Sequence, residues 1–149
     1  MLFIVLVVAC LPVISLAMLS FFSRKPDNLG VVNRRLADCP ATPNCVCTQC
    51  DDPERRMKPL RFTGTPEEAM ERLKVIVAAM PRSKVVTANQ RYIHAEFTSR
   101  LFRFVDDVEF RIEPDSKTVH FRSASRVGRS DLGVNRQRMT EIGRKFDEK

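Results

Sequence analysis

Three successive runs of this chain alternate apolar and polar residues with a period of two, and that alternation constrains its fold more than any other feature. In Arg91 to Thr98, Ile93, Ala95 and Phe97 fall on one side, with Tyr92, His94, Glu96 and Thr98 on the other. In Phe102 to Ile112, one row is Phe102, Phe104, Val108, Phe110 and Ile112, with Asp106 intruding among them. The other row is Arg103, Val105, Asp107, Glu109 and Arg111. In Thr118 to Ala124, Val119 and Phe121 oppose His120 and Arg122. A period of two places alternate side chains on opposite faces of a strand. Asn89-Gln90 and Pro114-Asp-Ser-Lys117 are turn sequences, so neighbouring strands pair antiparallel.

Further elements flank these runs. Pro59-Leu-Arg-Phe62 and Lys84 to Ala88 are strand candidates. Between them, Thr65-Pro-Glu-Glu68 has the chemistry of a helix start, and Ala69, Leu73, Ile76, Val77 and Met80 repeat at helical spacing before Pro81. Leu132, Asn135, Met139, Ile142 and Phe146 form the stripe of a terminal helix, with Ser130 or Asp131 as its N-cap. The order is strand, helix, four strands, helix. The expected fold class is α+β: an antiparallel sheet of about five strands with two helices on one face. That order is similar to a TATA-binding-protein-like half-domain, and a helix-grip arrangement is the alternative.

The first 22 residues carry no charge, and Arg24 and Lys25 end the run. As a helix it would be about 32 Å long, close to a bilayer core of about 30 Å. Residues 1–22 are therefore expected to be a single transmembrane anchor. A cleaved signal ending near Ser15-Leu-Ala17 is the rival reading. Residues 23–38 read as a tether, 39–59 as an irregular Cys- and Pro-rich segment, and 60–149 as the α+β domain. Arg24, Lys25, Arg34 and Arg35 favour a cytoplasmic domain; the cysteines favour the opposite side.

Residues 39–59 hold four of the nine prolines and four of the five cysteines. Cys39, Cys45, Cys47 and Cys50 allow three chemistries. They can form disulfides, a zinc site, or a redox-active Cys47-Thr-Gln-Cys50 pair.

The chain carries a net charge of +7, and its arginines are concentrated. Arg122 to Arg138 holds five arginines, with Ser123, Ser125, Ser130, Asn135 and two glycines, at a strand-to-helix corner. Such a corner can hold an anion against arginines and helix N–H groups. It can equally neutralise internal carboxylates. Asp106 in an apolar row needs a buried partner, and Arg122, Arg126 or Arg136 is expected to supply it, with Glu96 alongside. The candidate ligand-binding set is Arg122, Ser123, Ser125, Arg126, Ser130, Asn135 and Arg136, with Glu96, Asp106, Asp107 and Glu109 orienting it. The polar sheet face is expected to be solvated. Its three carboxylates, Glu96, Asp107 and Glu109, argue against nucleic acid. No catalytic triad, phosphate-binding loop or dinucleotide fingerprint is present.

Three stretches resemble a known family: Leu36-Ala-Asp-Cys-Pro-Ala-Thr-Pro-Asn-Cys-Val46, Ala95 to Phe110, and Arg122 to Arg136. Over about residues 36–146 the chain is similar to domain of unknown function 1499. That family includes bacterial envelope-type and plastid lumenal-type proteins, and it implies no established activity. The resemblance implies Cys39–Cys45 as the usual cysteine pair. Cys47 and Cys50 depart from the pattern, standing where small residues such as serine are usual. The resemblance moves the domain towards the extracytoplasmic side. The leading expectation is a membrane-anchored, non-enzymatic domain that binds a small anion or an envelope partner. An enzyme using the carboxylate–arginine cluster and a thiol-redox protein using Cys47 and Cys50 are the alternatives.

Overall fold

The computed structural model describes residues 23–148. The expected anchor lies outside them; among the described residues, no helix is long and apolar enough to cross a membrane. The chain forms β1 (Val31–Val32), β2 (Arg35–Leu36), β3 (Cys45–Cys47), β4 (Leu60–Arg61), α1 (Pro66–Ala79), β5 (Ser83–Ala88), β6 (Tyr92–Thr98), β7 (Val105–Glu113), β8 (Thr118–Ser125) and α2 (Val134–Asp147). From β4 onward this is the expected strand, helix, four strands, helix in an α+β fold.

The main sheet has the order β3-β8-β7-β6-β5, with every pairing antiparallel. β4 extends it by pairing with Thr118 and Val119 of β8, beside the stretch that β3 covers. The strand β3 has no counterpart in the sequence reading. Three residues are too few to show a period, yet all three are buried.

The core lies on one sheet face. Ile93, Ala95, Phe97, Val108, Phe110, Ile112, Val119 and Phe121 meet Leu73 and Val77 of α1 and Met139, Ile142 and Phe146 of α2 in one apolar cluster. Helix α1 begins where its chemistry dictates. Thr65 Oγ1 accepts the Glu68 N–H at 3.2 Å, and the Glu68 carboxylate accepts the Thr65 N–H at 2.9 Å, a reciprocal capping box.

Two expected boundaries move. Phe102 and Phe104 lie in a loop rather than in β7, because Arg103 turns the chain with φ 58°. Helix α2 starts at Val134, so Leu132 is 88% exposed instead of joining the core stripe. Gly133, in left-handed backbone with φ 81°, occupies the N-cap position that Ser130 or Asp131 was expected to fill. Asp131 still serves the helix end, since its carboxylate accepts the N–H groups of Gly133 and Asn135.

The second face of the sheet is not solvated. The β1–β2 hairpin packs towards β7 and β8. Gly30 donates its N–H to Glu109 Oε1 at 2.7 Å, and Leu36 is buried. Gly30 and Leu36, within the segment expected to be a tether, therefore contact the sheet, and alternation alone could not show what would cover the polar rows.

Candidate functional site

The sheet divides the predicted site residues between its two faces. On the face that Gly30 touches, antiparallel register sets Glu96 beside Asp107 and Glu109 beside Arg122. Arg126, just past the end of β8, reaches back over this face. Its Nε donates to Asp107 Oδ2 at 2.8 Å, and one terminal nitrogen serves both Asp107 Oδ1, at 2.7 Å, and Glu96. His94 Nε2 donates to Asp107 Oδ1 at 2.8 Å. Glu109 accepts from Arg122 at 3.2 Å, Tyr92 Oη at 2.7 Å and the Gly30 N–H.

These groups are buried: Asp107 and His94 are 1% exposed and Glu109 is 0% exposed. Burial pushes the Asp107 carboxyl upward, but its hydrogen bonds to Arg126 and His94 outweigh that and hold it below the ordinary carboxylate range. The Tyr92 hydroxyl is pushed up by burial and by the charge of Glu109. Arg126 is raised, chiefly by its hydrogen bonds to Asp107.

The helix-covered face holds a different cluster. Asp106 pairs with Arg138 at 2.6 Å, and Arg138 also donates to Asn135 Oδ1 at 2.7 Å and Ser123 Oγ at 3.2 Å. Its guanidinium lies 4.6 Å from the centre of the Phe97 ring. Ser123 bonds Asn135 Oδ1, and the Asn135 amide donates to the Asn44 carbonyl and to Ser125 Oγ. Asp106 thus has the buried partner its position required, but the partner is Arg138 rather than Arg122, Arg126 or Arg136. Arg138 follows Asn135 by three residues, so it lies one turn along the same helix face. That spacing was the available signal.

Arg136 and Ser130 belong to neither cluster. Arg136 donates to the Glu54 carbonyl and Ser130 Oγ accepts the Leu132 N–H, both at exposed positions. Arg122, Arg126 and Arg136 therefore do not converge. The buried arginines of the corner each face a carboxylate. Arg122 Nε is the exception atom by atom; it is buried with no hydrogen-bond partner among the described residues, as is Arg111 Nε at the other end of the sheet.

A groove lies at the opposite end of the sheet from the corner. It holds about 760 Å³ between the β1–β2 hairpin, the end of β5 and the β5–β6 turn, the end of β7 and Asp115 of the β7–β8 turn. Val31 and the Tyr92 ring give it apolar walls, and Arg34, Arg91 and Arg111 its positive charge. Glu113 binds both Arg111, with two bonds of 2.9 Å, and Arg34 at 2.7 Å. The Arg91 guanidinium has no carboxylate partner among the described residues. No sequence signal marks this groove, because Gly30 and Arg34 lie in the segment expected to be a tether.

Among the described residues, two sets of possible metal-ligand atoms each lie within 4.8 Å. One is His94, Glu96 and Asp107; the other is Cys39, Cys47 and Cys50. In the first set the Arg126 guanidinium already occupies the position a cation would take. In the second, the sulfurs of Cys39 and Cys45, and of Cys47 and Cys50, lie at bonding distance. Their Cα separations of 5.7 and 5.9 Å suit disulfides.

Neither a curated protein nor a solved structure matches the chain. The family model described as protein of unknown function (DUF1499) matches residues 35–146, a span that includes both charged clusters and all four of these cysteines. The chain belongs to that family.

Proposed function

We propose that this domain is a non-catalytic binding module whose groove takes a small ligand with one anionic group and a short apolar body. The observation that carries the reading is Arg91, an exposed guanidinium without a carboxylate partner on the rim of a groove with apolar walls. The volume of about 760 Å³ is that of a small-molecule site. The buried ion network makes a rigid floor, since Tyr92 lines the groove and bonds Glu109 beneath it. An enzymatic use of His94 and Asp107 is less favoured, because both are shielded from any substrate. Residues 1–22 act as a membrane anchor in this reading, supported by their lack of charge. The domain faces the extracytoplasmic side, supported by two cysteine pairs at bonding distance.

Amide chemical-shift mapping with butyl phosphate tests the groove, with butanol as the uncharged control. Shifts at Gly30, Thr87, Arg91 and Tyr92 that vanish in Arg91→Glu support it. Shifts centred on Ser125 to Ser130, or none, refute it.

The clustering of Cys39, Cys47 and Cys50 favours thiol–disulfide exchange as a second reading. In Cys45→Ser, the freed Cys39 thiolate would attack Cys47 Sγ. The Cys47–Cys50 bond would break and Cys50 would leave as the thiolate. Peptide mapping after an acid quench should recover a Cys39–Cys47 bridge with Cys50 as the free thiol. Recovery of Cys47–Cys50 alone, or of stoichiometric zinc in the wild-type chain, counts against exchange.

A further inference from the structure

Two loops meet at the end of the sheet remote from the groove. Residues 99–104 join β6 to β7, and residues 126–133 join β8 to α2. Val105 ties them together: it pairs with Thr98, and its carbonyl accepts the Arg126 N–H at 3.1 Å. These loops carry the two most exposed large hydrophobic residues among those described, Leu101 at 78% and Leu132 at 88%. They also carry Arg100, Arg103 and Arg129, none of which has a carboxylate partner among the described residues. Asp131 is their one acid, and its oxygens are taken by the N–H groups of Gly133 and Asn135. Arg103 and Leu132 both hold left-handed backbone, with φ of 58° and 53°, a conformation costly for residues with side chains. Neither side chain gains core burial there.

We propose that this end of the domain docks on an anionic lipid surface. Leu101 and Leu132 enter the interfacial layer, and Arg100, Arg103 and Arg129 meet lipid phosphates. Exposed apolar side chains interleaved with unpaired cations are the pattern that such a surface binds. Chain length gives an independent argument. Gly30 is fixed to Glu109, and β7 runs back from there to Val105 over about 13 Å. The seven Cα–Cα steps from Ser23 to Gly30 can span up to about 25 Å. The uncharged run that precedes it can therefore leave the domain level with these loops. The orientation rests on residues 1–22 being an anchor, but lipid contact by the two loops can be tested separately.

The chain contains no tryptophan, so Leu101→Trp supplies a sole reporter in the full-length protein. Leu132→Trp is the second reporter, and Val75→Trp on exposed α1 is the control. In vesicles containing phosphatidylglycerol, both loop reporters should shift to the blue and be quenched by brominated acyl chains, while the control keeps water-like emission. Reversing Arg100, Arg103 and Arg129 to glutamate should lower the docked-to-undocked ratio by at least roughly a hundred-fold. Water-like emission from both loop reporters overturns the proposal. So does equal insertion into phosphatidylcholine, or a blue shift without quenching, which indicates burial between copies of the chain rather than in lipid. Flotation of the wild-type chain with phosphatidylcholine vesicles tests the anchor alone. Failure to float, with loop insertion into anionic vesicles intact, rejects the anchor and keeps the docking surface.

Discussion

Asp106 offers the sharpest test of how the polar clusters hold this fold. It lies in the apolar row of β7, with its side chain 12% exposed and that of its partner Arg138 9% exposed. Asp106→Ala would leave the guanidinium buried without a counter-charge. Breaking such a pair costs about 3–5 kcal/mol. Arg138 keeps its bonds to Asn135 and Ser123, which places the expected loss near the lower end, about 3 kcal/mol. With a urea slope of about 2 kcal/mol/M, the unfolding midpoint falls by about 1.5 M. The double substitution Asp106→Leu with Arg138→Met removes both charges and restores apolar contacts. Met can still lie over Phe97, and Ser123 and Asn135 still bond each other. The double variant should therefore stay within about 1 kcal/mol of wild type. Urea unfolding followed by circular dichroism measures these variants and the single substitutions Asp106→Leu and Arg138→Met, which complete the cycle. A loss below about 1 kcal/mol for Asp106→Ala would refute the argument, as would simple additivity, which would mean that the pair is not coupled.

Two further outcomes follow from particular residues. Burial, and then the positive charge of Arg111, hold the His120 imidazole below its ordinary range. His120 is thus neutral in the fold, and the unfolded chain binds the extra proton below about pH 6.5. The corresponding stability is present above that pH and is lost as pH falls towards the folded-state value. The slope should disappear in His120→Gln, as read by urea midpoints at successive pH values. Leu132→Gly relieves a left-handed backbone at a position with little side-chain burial. It should raise stability by about 0.5–1 kcal/mol in the same assay; a loss would show that Leu132 makes a contact its exposure does not reveal.

The core face and the order of its elements were legible because period-two and helical repeats are local consequences of backbone geometry. Ile93, Phe110 and Phe121 could be assigned to one face before any contact was known, and Thr65 with Glu68 announced the start of α1. That Asp106 required a partner was also legible, since an ionised side chain in an apolar row must be compensated. Its choice of Arg138 was not, because that choice depends on how α2 crosses the sheet. The sequence likewise shows two faces on each strand but not what lies over the second. Gly30 meets Glu109 across 79 positions of chain, and no local pattern encodes such a contact. Tertiary structure alone therefore buried Asp107 and Glu109, gave Arg122 and Arg126 their carboxylates, and left Arg91 on a groove rim, since the partner of a charge depends on distance in space.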